Sequence, residues 1–362
     1  MYTSYIFVYY SFMKGLPLSK GNILISGFTN QHIGKNTRLK YDPVAQLFAR
    51  TIEKAGYTIE HRAVEPEEDL TKFDLIFMGV SSLSSITAGY SYGALWAIGE
   101  AKKHNLPMLF FIDDWKMHGI QGNAVGLLNK PETITKDFFK GRHHYDWATE
   151  NVDLVKAGLE VLATDWFDVV MPLYKNGDHD LFKPKMPEGT NIIAIDPTDF
   201  YTDYGIPHTL AVDKKDQWVF GILSDQQKWL EKLDLGWPLA HRGSKASKAE
   251  AGGMPESELV QMYADSWGVL SCPYWHAGSG WLRIRHDHAA LTGSILVSQS
   301  KELSFISPAY DVTVKEVEAM SLEEKMETAN AQARAWYTNK TSQTEAAQQM
   351  DLAIQNEING KK

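Results

Sequence analysis

One cysteine, Cys272, stands in 362 residues, so no internal disulfide can form, and a zinc site would have to be built from histidines and carboxylates. A reducing cytoplasm suits that usage. No window approaches the roughly 20 apolar residues of a membrane span. Basic charge is scarce as well: the formal net charge is −9, so any contact with nucleic acid must come from a local basic patch. The stretch SGFTNQHIGKNTR holds Gly27 and Gly34 but no Gly-x-Gly-x-x-Gly, which disfavours a dinucleotide site. Internal repeats and low-complexity tracts are absent. The opening MYTSYIFVYYSFMKGLPLSK breaks its apolar run with tyrosines and serines, unlike a secretory signal. Residues 1–20 read as a peripheral extension, with Met13 as an alternative start.

What is present is a rhythm of short apolar runs and helical segments. NILISGF, TIEHRAV, FDLIFMGV and PMLFFIDDW read as strands, and DPVAQLFARTIEKAGY and AGYSYGALWAIGEAKKHNL as the helices between them. The first of these helices has Asp42 as N-cap, Pro43 in its first turn and Gly56 at its end. FDVVMPL and NIIAID add two strands. After a charged, turn-like linker, AVDKKD, the pattern restarts with KKDQWVFGIL, the helix SELVQMYADSW, and the strands GVLSCPYW and GSILVSQ. Such alternation calls for parallel sheets with helices on both faces. The expected α/β fold is two doubly wound, Rossmann-like domains facing a central cleft. Residues 21–213 form the first, residues 214–330 the second, and 331–362 a helical tail able to cross back.

Two segments concentrate chemistry. SGWLRIRHDHAALTGSILVS places Arg283, Arg285, His286, Asp287 and His288 just before a small-residue turn and an apolar strand. Read as extended, it puts Arg283 and Arg285 on one face, and His286 with His288 on a face opposite Asp287. The arginines then serve either a bound anion or a surface ion pair, and the histidines admit a metal pair for which no third ligand is evident. KDFFKGRHHYDW interleaves Lys136, Lys140 and Arg142 with aromatics, as either a solvated loop or a nucleic-acid contact.

The restarting pattern and this motif resemble the GT-B glycosyltransferases, and among them the phage DNA β-glucosyltransferase family. That family's motif is Leu-Arg-x-x-Glu-x-x-Ala-x-x followed by an apolar strand. Arg285 takes the place of the family arginine, Gly293 ends the turn, and the glutamate that contacts the donor ribose falls on His288, with Asp287 as the substitute. GGMPESELVQMYADSWGVLSC is similar to the family's Gly-x-x-Pro stretch, which implies uracil contacts near Met254 and Pro255. Lys228, seven residues after Gly221, sits where many enzymes of this fold hold phosphate. The family arginine of that loop is replaced by Ser224 and Asp225, and HRGSKASK supplies Arg242, Lys245 and Lys248 as possible substitutes. FDLIFMGVSSLSS and LFFIDDW match the family's strand order, which implies Asp113 as catalytic base.

The chemistry asks for the same groups. Charge building on a departing nucleoside diphosphate needs cations or helix N-termini, and Arg283, Arg285 and Lys228 are candidates. An acceptor hydroxyl needs a carboxylate, and Asp113 ends a buried strand where such a base belongs, although Asp113 and Asp114 also suit helix caps. The expected function is transfer of glucose or a pentose such as arabinose from a UDP-sugar to hydroxylated or hydroxymethylated cytosine in phage DNA. Lys116, Lys140 and Arg142 would lie on the acceptor side. No cofactor beyond the donor is required, a divalent metal is compatible though not indicated, and a soluble cytoplasmic monomer acting on double-stranded DNA is expected. Two other readings stay open: a transferase of the same fold acting on a glycan or small molecule, and a nucleotide-sugar-binding protein without catalysis.

Overall fold

The structure, a computed structural model, describes residues 19–26, 43–62, 68–79, 92–111, 117–130, 151–164, 168–175, 186–200, 213–220, 230, 232–241, 256–271, 284–298, 303–304 and 306–360. Its first layer is a parallel six-stranded sheet of β1 (Asn22–Ser26), β2 (Thr58–His61), β3 (Leu75–Gly79), β4 (Met108–Phe111), β5 (Asp168–Pro172) and β6 (Asn191–Ile195). Their order is β2-β1-β3-β4-β5-β6. The runs of β3 and β4, LIFMG and MLFF, are apolar without alternation because the sheet is covered on both faces.

On one face Leu24, Ile76, Met78 and Phe110 pack against α2 (Tyr92–Lys103), α3 (Met117–Leu128) and α4 (Val152–Ala163). The alternate residues Ile25, Phe77, Leu109 and Phe111 face the other way. They meet α1 (Pro43–Lys54) and the last helix of the chain, α9 (Gln343–Gly360). Phe48 of α1 lies 4.6 Å from Phe111 and 5.9 Å from Phe77, centroid to centroid. Pro43 opens α1, and Gly56, at φ 102°, turns the chain after it, a conformation that suits glycine.

The second sheet has β7 (Lys215–Val219), β8 (Leu239–His241), β9 (Ser266–Ser271) and β10 (Ile295–Ser298), ordered β10-β9-β7-β8 and parallel. Its winding repeats that of β1 to β4: the second strand goes to one side of the first, the third to the other. Each sheet therefore has a switch point beside its first strand, at the carboxyl ends where α/β sheets open a crevice. Around it lie α5 (Glu256–Ala264), α6 (Ile284–Thr292), α7 (Val314–Ala319) and α8 (Leu322–Asn339). Thr313 with Glu316, and Ser321 with Glu324, form capping boxes that start α7 and α8.

The helical tail is two helices, because Lys340 is extended (ψ 148°) and the chain turns there. Before that turn α8 belongs to the second sheet. Its buried Gln332 accepts from Leu296 N–H (2.8 Å) and donates to Leu296 C=O (3.1 Å), so an amide side chain occupies the edge of β10. After the turn α9 belongs to the first sheet. Asp351 accepts from Lys20 (2.6 Å) and from the Tyr57 hydroxyl (2.7 Å), and Lys175 pairs with Glu345 (3.1 Å).

The charged linker expected before β7 is only partly one. Lys214 is buried, and its ammonium donates to the carbonyls of Ala264 (2.7 Å) and Tyr263 (3.3 Å) at the end of α5 and to Ser294 Oγ (3.1 Å). Orphan helix carbonyls attract such a cation, while burial pulls its pKa down to about 8.

Helices α2 and α4 cross at backbone contact. A Cβ on Gly158 would stand 2.0 Å from Leu95 O, and one on Gly99 2.0 Å from Leu154 O. On an exposed helix, Gly→Ala stabilises by up to about 1 kcal/mol. Here the sign reverses: Gly158→Ala is expected to destabilise by about 1–3 kcal/mol through forced separation of the helices, as read by urea unfolding. A stabilised variant would show that the crossing is loose.

Candidate functional site

Residues 284–292, expected to be extended, form the helix α6. The apolar–polar alternation of Leu282, Arg283, Ile284 and Arg285 mimics a strand, but the segment ends in a helix cap. Gly293 (φ 63°) closes a Schellman motif, with Ser294 N–H donating to Ala289 C=O (2.9 Å) and Gly293 N–H to Ala290 C=O (3.4 Å). Helical spacing puts His286 and His288 about 200° apart, so the shared face required for a metal pair is not formed. Among the described residues no group of three or more His, Cys, Asp or Glu could hold a metal ion.

The helix runs back from β9 to β10, so its first turn stands at the carboxyl edge of the second sheet and its last at the amino edge. Arg285 is in the first turn. Its guanidinium lies 5.9 Å from the ring of Phe220, just past β7, and its Nη1 is enclosed without a hydrogen-bond partner among the described residues. Gly293 lies about 12 Å away by helix rise. The cap accounts for that glycine, and the geometry does not bring it to Arg285.

Asp287 and His288, the two expected ribose contacts, are enclosed, at 0% and 1% exposure. His288 packs edge-on against Tyr263 of α5, centroids 5.4 Å apart. Asp287 faces α8, where Trp336 Nε1 donates to its Oδ1 (3.0 Å) and its Oδ2 has no hydrogen-bond partner among the described residues. Burial raises its pKa well above the ordinary carboxylate value; the charge of Asp196 adds to this and that of Lys340 opposes it. Asp196 follows β6 and is buried too. It accepts from Thr198 N–H (3.0 Å) and Oγ1–H (2.6 Å) and from Thr341 N–H (3.4 Å), and burial again raises its pKa.

His286 makes the third connection. Its Nδ1 lies 3.0 Å from the hydroxyl of Tyr174, just past β5, and its Nε2 lies 3.3 Å from Oγ of Ser271, the last residue of β9. Tyr174 also meets Trp336 edge to face at 4.7 Å. β5 and β6 belong to the first sheet, and β9 and α6 to the second, so the carboxyl edges of the two sheets meet here. Sequence reading missed Tyr174, Asp196, Ser271 and Trp336. Of these only Asp196 left a signal, as a second acid ending an apolar strand. The expected residues Asp113, Lys116, Lys140, Arg142, Gly221, Ser224, Lys228, Arg242, Met254, Pro255 and Arg283 lie outside the described residues.

No protein-family model and no curated protein sequence matches the chain. Solved structures do. A T4 phage β-glucosyltransferase, studied for substrate binding and its proposed catalytic mechanism, superposes with a TM-score of 0.58 at 11% identity, over 92% of this chain and 99% of that one. The DNA-modifying enzyme β-glucosyltransferase, solved in the presence and absence of uridine diphosphoglucose, gives 0.54 at 11% identity over the same shares. T4 phage BGT in complex with UDP and Mn2+ gives 0.50 at 10%, over 94% and 98%. The chain has the GT-B fold. At these identities the likeness is one of architecture: two doubly wound Rossmann-like layers, with the last helix returned to the first. Among the described residues, no helix is long and apolar enough to cross a membrane.

The buried acids set a pH dependence. A carboxyl whose folded pKa is raised stays protonated after its unfolded counterpart ionises, so stability falls as pH rises from about 4 toward the folded pKa, by up to about 1.4 kcal/mol per pH unit. Asn at 287 keeps an acceptor for Trp336 and removes that loss. Asp287→Asn is expected to melt at or above wild type at pH 7–8, with the difference shrinking toward pH 4. A variant that melts well below wild type at neutral pH and recovers in acid would mean that Asp287 is an ionised, paired group.

Proposed function

We propose that the protein transfers a sugar from a UDP-sugar to a hydroxyl acceptor. The observation that carries this reading is the meeting of the two carboxyl edges at Tyr174 and His286, with Arg285, its Nη1 enclosed, in the same first turn of α6. Crevices at such edges are where α/β sheets take nucleotides. Donor contacts fall to the second sheet: Arg285 and the N-terminus of α6 supply positive charge to a diphosphate, joined by Arg283, Lys228 and Arg242, while Gly221, Ser224, Met254 and Pro255, which follow β7 and β8 in sequence, complete the donor set.

The acceptor lies on the first sheet. There Asp113, two residues beyond the end of β4, takes the proton as the acceptor oxygen bonds to the anomeric carbon and UDP departs with the electrons of the broken bond. The chain's own cations serve the departing charge. Glucose or a pentose is the sugar, and hydroxymethylated or hydroxylated cytosine in double-stranded DNA is the acceptor, met by Lys116, Lys140 and Arg142. That acceptor is supported by the resemblance of the first sheet's motifs and by the DNA-modifying neighbour; a glycan or small molecule suits the acidic balance. The enzyme is proposed to work as a cytoplasmic monomer.

A panel of radiolabelled UDP-sugars offered to hydroxymethylcytosine DNA tests the reading, and label that reaches only a glycan or small molecule moves the acceptor. Calorimetry with UDP is expected to show binding that Arg285→Ala weakens by about 1.5–3 kcal/mol. Asp113→Asn should bind donor normally and turn over at least about a hundredfold more slowly. Absence of UDP heat in wild type would remove the proposal.

A further inference from the structure

The imidazole of His286 touches three elements at once. It stands in the first turn of α6, its Nε2 meets the last residue of β9, and its Nδ1 meets the tyrosine just past β5. Residues 272–283 connect β9 to α6. Ser271 and His286 therefore clasp the two ends of that connection across 3.3 Å, while Tyr174 fastens the clasp to the first sheet across 3.0 Å. All three side chains are enclosed: Ser271 is 0%, His286 1% and Tyr174 4% exposed. With the Tyr174 hydroxyl donating to Nδ1, Nε2–H donates to Ser271 Oγ; the other tautomer reverses both bonds. Hydroxyls on either side can give or take a proton, so both bonds close in each case.

The surroundings make this a rigid link. Tyr174 comes from the first sheet but packs within the core of the second, among Val219, Val269, Ala289, Leu296 and Trp336. Leu291, farther along α6, packs within the core of the first. Each layer thus holds a side chain of the other. In the three-way contact, the two ring nitrogens have separable tasks: one acts within the second layer, the other between layers.

We propose that His286 is a positioning residue that fixes the end of β9 and the first turn of α6, with Arg285, at a set distance from the acceptor-side strand ends of the first sheet. The proposal rests on the transfer reading above. Its role is to act through Ser271 and Tyr174, without touching substrate. A nucleophile and donor must be held to within a fraction of an ångström for transfer, and misplacement of about 1 Å can cost about a hundredfold.

The experiment separates the two nitrogens. Tyr174→Phe removes the hydroxyl that links the layers and keeps the ring, so UDP affinity by calorimetry should stay within about twofold while kcat falls between about ten- and a hundredfold. His286→Asn keeps a polar atom near the place of Nδ1, and His286→Gln near that of Nε2. Asn should therefore preserve kcat better and UDP affinity worse than Gln. Hydrogen exchange in the ligand-free protein supplies a readout independent of the reaction: in Tyr174→Phe, peptides covering the end of β9 and the first turn of α6 should exchange faster than in wild type. Wild type that binds no UDP removes the transfer reading and with it the positioning role. Unchanged exchange, unchanged kcat in Tyr174→Phe, or an equal loss of kcat and affinity in both His286 variants would overturn the proposal.

Discussion

The apolar face of the first sheet made by Ile25, Phe77, Leu109 and Phe111 is too wide for α1 alone, and the rest is covered by α9. Much of the architecture depends on this. Burying Ala346, Met350 and Ile354 there contributes on the order of several kcal/mol, and it obliges the end of the chain to return from the second layer to the first. Since α8 is tied to β10 through Gln332 and α9 begins within four residues of its end, the return fixes where the second layer stands. The carboxyl edges are thereby brought together.

A junction formed this way encloses polar groups. Tyr174, Asp196, His286 and Asp287 are all at or below 4% exposure, and such groups are tolerated when hydrogen-bonded or neutralised. Three of them are bonded on the atoms that face the junction. Asp287 has one oxygen bonded to Trp336, and its burial raises its pKa, which favours the neutral carboxyl. The cation that remains next to this enclosed cluster, Arg285, is in the first turn of a helix whose dipole adds to its charge. An anion that reaches this edge meets both.

The two-layer fold was legible because its signals are local. Uninterrupted apolar runs such as LIFMG and MLFF announce doubly covered strands, and Pro43 with Gly56 brackets a helix. The restart at β7 announced a second unit of the same winding. The site was less legible. The stretch from Leu282 to Arg285 has strand-like alternation, and the cap that makes residues 284–292 a helix lies eight residues beyond it, at Gly293. Burial then turns the meaning of the next residues around: the two expected to meet a ribose, Asp287 and His288, face inward, while Arg285 stands in the first turn of the helix. The partners Tyr174 and Trp336 lie 112 and 49 residues from the atoms they bond. No spacing within one segment encodes such pairs.

Under the proposed transfer function, a uridine diphosphate occupies the carboxyl edge of the second sheet, at the first turn of α6. Hydrogen exchange of the wild-type protein with and without UDP tests it at the level of single elements. Slower exchange confined to the end of β9, the end of β7 and the first turn of α6, with the Gly293 cap at the other end of that helix unchanged, is the predicted result. Protection centred on the amino edge around Gly293 and Lys214, or on the outer face of α8, would contradict it.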